Sequence, residues 1–129
     1  MDLNNLIIEI RDVLSQFEGV DYACLFGSAL KRLLPDSDID ILLGGDLDLD
    51  QKTRIAMKLS LRLKREVDLV MAKEAPHELI LSALSRGRVI FVHKRESLRQ
   101  DYFKSYFLYD ANTSLRKTRL ERVKRIYVP

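Results

Sequence analysis

Asp38 and Asp40 lie two residues apart in the run Asp38-Ile39-Asp40-Ile41-Leu42-Leu43, and nine residues separate Asp38 from the pair Gly27-Ser28. An apolar run of this kind reads as a strand, and on a strand residues i and i+2 point to the same face. Both carboxylates therefore project together. Two adjacent carboxylates repel one another unless a cation sits between them, and oxygen ligands shared with nucleotide phosphates favour Mg²⁺. Gly27-Ser28 follows another apolar run and can open a helix, whose free N–H groups and positive dipole end suit phosphate. Each feature alone has an ordinary explanation: a turn with an N-cap for Gly-Ser, a solvated strand end for Asp-x-Asp. It is the two together, on consecutive strands, that point to nucleotide and metal chemistry. Ser37, in the turn Pro35-Asp36-Ser37, is a further candidate phosphate contact. Asp68 is a third acidic candidate, flanked by Val67, Leu69 and Val70. A carboxylate in such a strand is costly unless it is paired, metal-bound or turned to solvent from a sheet edge.

The elements that must position these residues follow from periodicity. Leu3, Leu6, Ile7, Ile10, Leu14 and Phe17 recur at helical spacing, with Gly19 as a stop. Val20 to Phe26 reads as a strand delivering Gly27 at its C-terminal end, where ligands gather in open α/β sheets. Ala29 to Leu34 predicts a short basic helix ended by Pro35. Asp38 to Leu43 is the second strand, stopping at Gly44-Gly45. The acidic stretch Asp46 to Asp50 lacks the glycine and closing glutamate of an EF-hand loop and reads as a loop with Asp48 or Asp50 as N-cap. A helix to about Arg65 follows, then a third strand over Glu66 to Ala72. Pro76 opens another helix, Gly87 closes it, and Val89 to Val92 is a fourth strand ending at His93. His77 and His93 read as surface or structural side chains. From Lys94 the pattern is helical, with Phe103, Tyr106 and Phe107 at i, i+3, i+4, then Leu115, Leu120, Val123 and Ile126 among many Lys and Arg. The fold class expected is α/β (α+β), a small mixed sheet of about four strands backed by helices, with a C-terminal basic helical tail.

At 129 residues and 47% hydrophobic, the chain has enough apolar material for one domain core. Its organisation reads as a core over residues 1–93 and a helical extension of the same domain over 94–129. One cysteine, Cys24 in an apolar strand, excludes a disulfide framework, and with no signal peptide evident the expected location is the cytoplasm. No apolar run approaches the roughly 20 residues that span a membrane. Net charge is +3 but unevenly placed: residues 1–85 carry 10 Lys/Arg against 15 Asp/Glu, and residues 86–129 carry 12 against 4. Such a basic end suits an acidic partner surface or nucleic acid.

Gly27-Ser28, a nine-residue spacer and Asp38-Ile39-Asp40 resemble the signature of the nucleotidyltransferase superfamily related to DNA polymerase beta. Over residues 1–93 the short chain looks like the minimal branch, the MNT-domain proteins that pair with HEPN-domain toxins. That resemblance implies a nucleotidyltransferase fold and Mg²⁺-dependent transfer of AMP from ATP. Gly27 and Ser28 would hold the phosphates, and Asp38 and Asp40 two metal ions. Asp68 would complete the metal on the attacking side. Many relatives read Gly-Ser-x-Ala-Arg-Gly; here Ala29-Leu30-Lys31-Arg32 follows, so the basic role falls to Lys31 or Arg32. The resemblance further implies an antitoxin that adenylylates a tyrosine of a HEPN ribonuclease, in a homodimer or hetero-oligomer, since the chain has little beyond the sheet to enclose a small acceptor. Two other readings stand beside it: a binding antitoxin without catalysis, and a transferase acting on RNA ends or on a small molecule such as an aminoglycoside, RNA binding being secondary.

Overall fold

The computed structural model describes residues 1–109; the helical pattern read from Leu115 to Ile126 lies outside the described residues. Helix α1, Leu3–Leu14, starts where the Asp2 carboxylate accepts from Asn5 N–H at 2.8 Å, satisfying one of the unpaired first-turn donors. Strand β1 is Val20–Phe26, helix α2 Ser28–Lys31 and strand β2 Ile39–Gly45. Helix α3, Leu49–Leu63, has a reciprocal cap: Gln51 N–H donates to Asp48, and Asp48 N–H donates to the Gln51 side chain. Asp48 is thus the cap, while Asp50 in the first turn pairs with Arg54 at 3.2 Å. Strand β3 is Val67–Met71, helix α4 His77–Arg86 and strand β4 Arg88–Val92, and a fifth helix, α5, occupies residues 95–109.

The strands lie in the order β3-β2-β1-β4. β1 pairs antiparallel with β2 and with β4, whereas β2 and β3 run parallel, joined through α3. Both faces are covered. On one, Leu25, Ile39, Ile41, Leu43 and Leu69 pack with Leu6, Ile10 and Leu14 of α1 and Ile55 and Leu59 of α3. On the other, Tyr22, Cys24 and Leu42 pack with Ile80 and Ala83 of α4, and Leu98 of α5 joins them. The Tyr22 hydroxyl donates to Asp101 of α5 at 2.8 Å, and burial with the neighbouring Asp101 carboxylate pushes the phenol pKa up. Each fully buried Leu or Ile contributes about 2 kcal/mol, so it is this two-sided core that holds the end of the sheet carrying the acidic residues. Among the described residues no helix is long and apolar enough to cross a membrane.

Two elements differ from expectation. The helix expected over Ala29 to Leu34 is a single turn, because Arg32 already turns extended (φ −154°, ψ 111°) and a separate turn from Leu34 to Ser37 takes over. The second strand does not stop at Gly44-Gly45 but runs through both. Gly44 lies under the Tyr22 ring, where a Cβ would fall 1.8 Å from Cε1, and Gly45, at φ 128°, faces a register shift between Val20 and Tyr22. These glycines let β1 and its aromatic ring cross close to the strand rather than ending it.

Candidate active site

The sheet pairing places the chemistry. Phe26 at the end of β1 is opposite Asp40 near the start of β2, and Asp40 is abreast of Asp68 in the parallel ladder with β3. Antiparallel pairing on one side and parallel pairing on the other thus bring the end of β1 and the beginnings of β2 and β3 to one end of the sheet. Ile39, Ile41 and Leu43 turn into the α1/α3 core, so strand alternation sends Asp40 to the opposite face. Asp38 lies one residue ahead of β2 and Asp68 inside β3.

Asp38, Asp40 and Asp68 line one cleft of about 400 Å³, together with Ser60, Glu66 and Val67. Asp38 and Asp68 are exposed and Asp40 half-buried. Burial, then the charges of Asp68 and Asp38, raise the Asp40 pKa above the usual aspartate value. After burial, the rest of that shift is the mutual repulsion of carboxylates gathered at one end of the sheet. Among the described residues no three acidic, imidazole or thiol side chains already converge tightly enough to hold an ion. The donor set nevertheless suits a hard divalent cation: all oxygen, from adjacent strands, in a cleft open to solvent.

Gly27 is bound into the same arrangement. Its φ of 86° belongs to glycine, and a Cβ there would fall 2.4 Å from Asp40 Oδ2. The missing side chain is what lets the Asp40 carboxylate lie against the turn. Gly27 and Ser28 open onto a second cleft of about 360 Å³, with Lys31 on its wall. Arg32 is exposed and lines neither cleft, so of the two basic candidates it is Lys31 that faces the Gly-Ser turn. Ser37 also lies outside both; its hydroxyl accepts from Leu34 N–H at 2.8 Å and its own N–H donates to Leu34 O. His77 is paired with Ser105 at 3.3 Å, and His93 N–H donates to Asp21 O.

Several further residues complete the surroundings of the site. Glu66 precedes Asp68 by two and shares its face, a relation that strand alternation alone could have shown. Arg65 donates to the carbonyls of Leu34 (2.5 Å) and Ser37 (3.2 Å), tying the turn ahead of Asp38 to the start of β3. Ile39 N–H donates to Glu66 O beside it. Ser82 and Arg86 reach the second cleft from α4, and no local pattern marks them.

Comparison with known proteins agrees with this geometry. The family profile described as "Polymerase beta, Nucleotidyltransferase" matches residues 9–96, so the chain belongs to the polymerase beta-type nucleotidyltransferases. A search of curated proteins gave no match. Among solved structures, a chain of the toxin–antitoxin complex MntA–HepT is 22% identical with a TM-score of 0.71, the alignment covering 93% of this chain and 97% of that one. A toxin–antitoxin structure with AMP-PNP is 24% identical with a TM-score of 0.72, covering 95% and 98%. A complex of tri-AMPylated Shewanella oneidensis HEPN toxin with MNT antitoxin is 22% identical with a TM-score of 0.71, covering 93% and 97%. At these identities the likeness establishes the fold.

Proposed function

We propose that this protein is a Mg²⁺-dependent adenylyltransferase that moves AMP from ATP to a hydroxyl of a HEPN-type toxin, most simply a tyrosine, and so acts as its antitoxin. Residues 1–93 would be the transferase core and 94–129 a helical extension of the same domain. The observation that carries the reading is the placement of Asp38, Asp40 and Asp68 in one cleft beside the Gly27–Ser28 turn. Likeness over almost the whole chain to proteins described with a HEPN toxin, with AMP-PNP and with an AMPylated toxin supports the nucleotide, the acceptor and the partner.

Asp38 and Asp40 would hold two divalent ions, with Asp68 on the acceptor side. Bound there, the ions supply Lewis-acid charge to the attacking and leaving oxygens. Gly27 and Ser28, with Lys31, hold the phosphates in the neighbouring cleft. The acceptor oxygen bonds to the α-phosphorus, the bond to the bridging oxygen of the β-phosphate breaks, and pyrophosphate leaves. Asp68, exposed in the same cleft, would take the hydroxyl proton on its carboxylate. An added adenylate places negative charge and bulk on the toxin, which opposes binding of an RNA backbone.

The test is incubation of the HEPN partner with this protein, ATP and Mg²⁺. The partner should gain one or more AMP units in mass, its ribonuclease activity should fall on the same time course, and EDTA should stop both. Neutralisation by Asp38→Asn at wild-type potency, with no mass gain, would show masking in place of chemistry.

A further inference from the structure

The Gly27–Ser28 cleft has a second wall, and it comes from α4. We infer that Arg86, with Ser82 one turn before it, is a triphosphate-binding residue of this protein. The inference rests on assigning that cleft to the nucleotide. Ser82 and Arg86 are four apart, so they share one face of α4, and both line the cleft opposite Gly27, Ser28 and Lys31.

Packing explains why the end of α4 arrives there. Gly87 follows Arg86, and a Cβ on it would fall 2.3 Å from Ala83 O and 2.6 Å from Leu25 O. Glycine thus lets the helix end press against β1 itself. The next residue, Arg88, is already in register with Leu25. Arg86 is thereby set beside Phe26 and Gly27, although it is far from them in sequence.

A basic residue in a last helical turn commonly balances the helix dipole. Two observations go beyond that role. Among the described residues the Arg86 side chain makes no ion pair or hydrogen bond, and a guanidinium carries five donors. The turn opposite supplies a single lysine, Lys31, where the phosphates of ATP bring several negative charges. A planar guanidinium holds two phosphate oxygens in a fixed fork, whereas an ammonium acts as a point charge. Arg86 therefore supplies from a distant helix the forked cation that the Gly-Ser turn lacks, and Ser82 adds a hydroxyl donor.

The experiment is calorimetric titration of the full chain, with Mg²⁺ present, by ATP and separately by inorganic tripolyphosphate. The variants are Arg86→Gln, Arg86→Lys and, as a charge-matched control, Arg88→Gln. Melting curves of each variant accompany the titrations, and the exposed position of Arg86 makes folded variants the expected result. Loss of charge-assisted phosphate contacts should weaken both ligands roughly tenfold in Arg86→Gln. Arg86→Lys should fall between, and Arg88→Gln should match wild type. Unchanged affinity in Arg86→Gln, or equal losses in Arg86→Gln and Arg88→Gln, would overturn the inference. Weakened ATP with unchanged tripolyphosphate would overturn it too, assigning Arg86 to the base. A wild-type protein that shows this dependence but modifies no HEPN partner would leave Arg86 in place and refute the acceptor assignment. A wild-type protein binding neither ligand would refute both.

Discussion

Gly27→Ala separates the structural from the chemical role of the turn. Gly27 has φ 86° and ψ −165°, a region that is essentially glycine's alone, and holding alanine there costs about 1–3 kcal/mol. The new methyl would also fall 2.4 Å from Asp40 Oδ2, well inside contact distance, so the carboxylate must swing away. We expect stability to fall by about 2 kcal/mol, a large part of the roughly 5–15 kcal/mol that holds a domain. For a chain of this size that is roughly 6–10 °C in Tm. Displacing a group that positions the reaction should also lower the rate of AMP transfer by about a hundredfold. Asp40→Asn is the contrast: it keeps the shape and removes the charge, so transfer should vanish while Tm holds or rises. The assays are thermal melts and the AMP mass gain of the partner. In an Asp40→Ala background the cost of Gly27→Ala should shrink by the part due to the clash and keep the part due to backbone strain. A Gly27→Ala protein that melts and transfers AMP like wild type would refute the reasoning.

Other outcomes follow from the same geometry. In the folded chain burial and the charges of Asp68 and Asp38 raise the Asp40 pKa, so the folded state holds that proton more tightly than the unfolded state. The resulting stabilisation is present at low pH and is lost as pH rises through the folded pKa. The Tm of metal-free wild type should therefore drop below that of Asp40→Asn as pH climbs just above the ordinary aspartate range, and Mg²⁺ should narrow the gap; parallel curves would refute the coupling. Lys64 ends α3 in the left-handed region (φ 53°, ψ 41°), so Lys64→Gly should raise stability by about 0.5–1 kcal/mol in denaturant melts. Arg65→Met frees the Leu34 and Ser37 carbonyls ahead of Asp38. It should raise the Mg²⁺ concentration needed for half-maximal transfer, with Arg65→Lys recovering part of the loss, whereas a lowered Tm with unchanged Mg²⁺ dependence would make Arg65 a purely structural brace.

What the sequence by itself determined is local in range. The i, i+2 spacing of Asp38 and Asp40 is read directly from the chain, and the apolar residues after them require the strand, which begins at Ile39. The cap at Asp48 needs only Gln51 three residues on. The Gly27-Ser28 and Asp38-Ile39-Asp40 pattern carried the family, because a turn and a strand start that must meet one ligand leave their spacing in the chain. Tertiary structure decided whatever depends on which strands become neighbours. Asp68 reads in the sequence as a third acidic candidate that could be paired, metal-bound or turned to solvent; it is parallel pairing with β2 that puts it abreast of Asp40. Lys31 and Arg32 are equivalent basic residues in the sequence; the chain turning extended at Arg32 leaves only Lys31 on the cleft. Gly44 and Gly45 look like a strand end, yet they are the room that Tyr22 and the end of α1's loop require. Arg86 has no signature at all. Its place is set by Gly87 pressing α4 onto β1, a contact between segments some sixty residues apart that no local periodicity encodes.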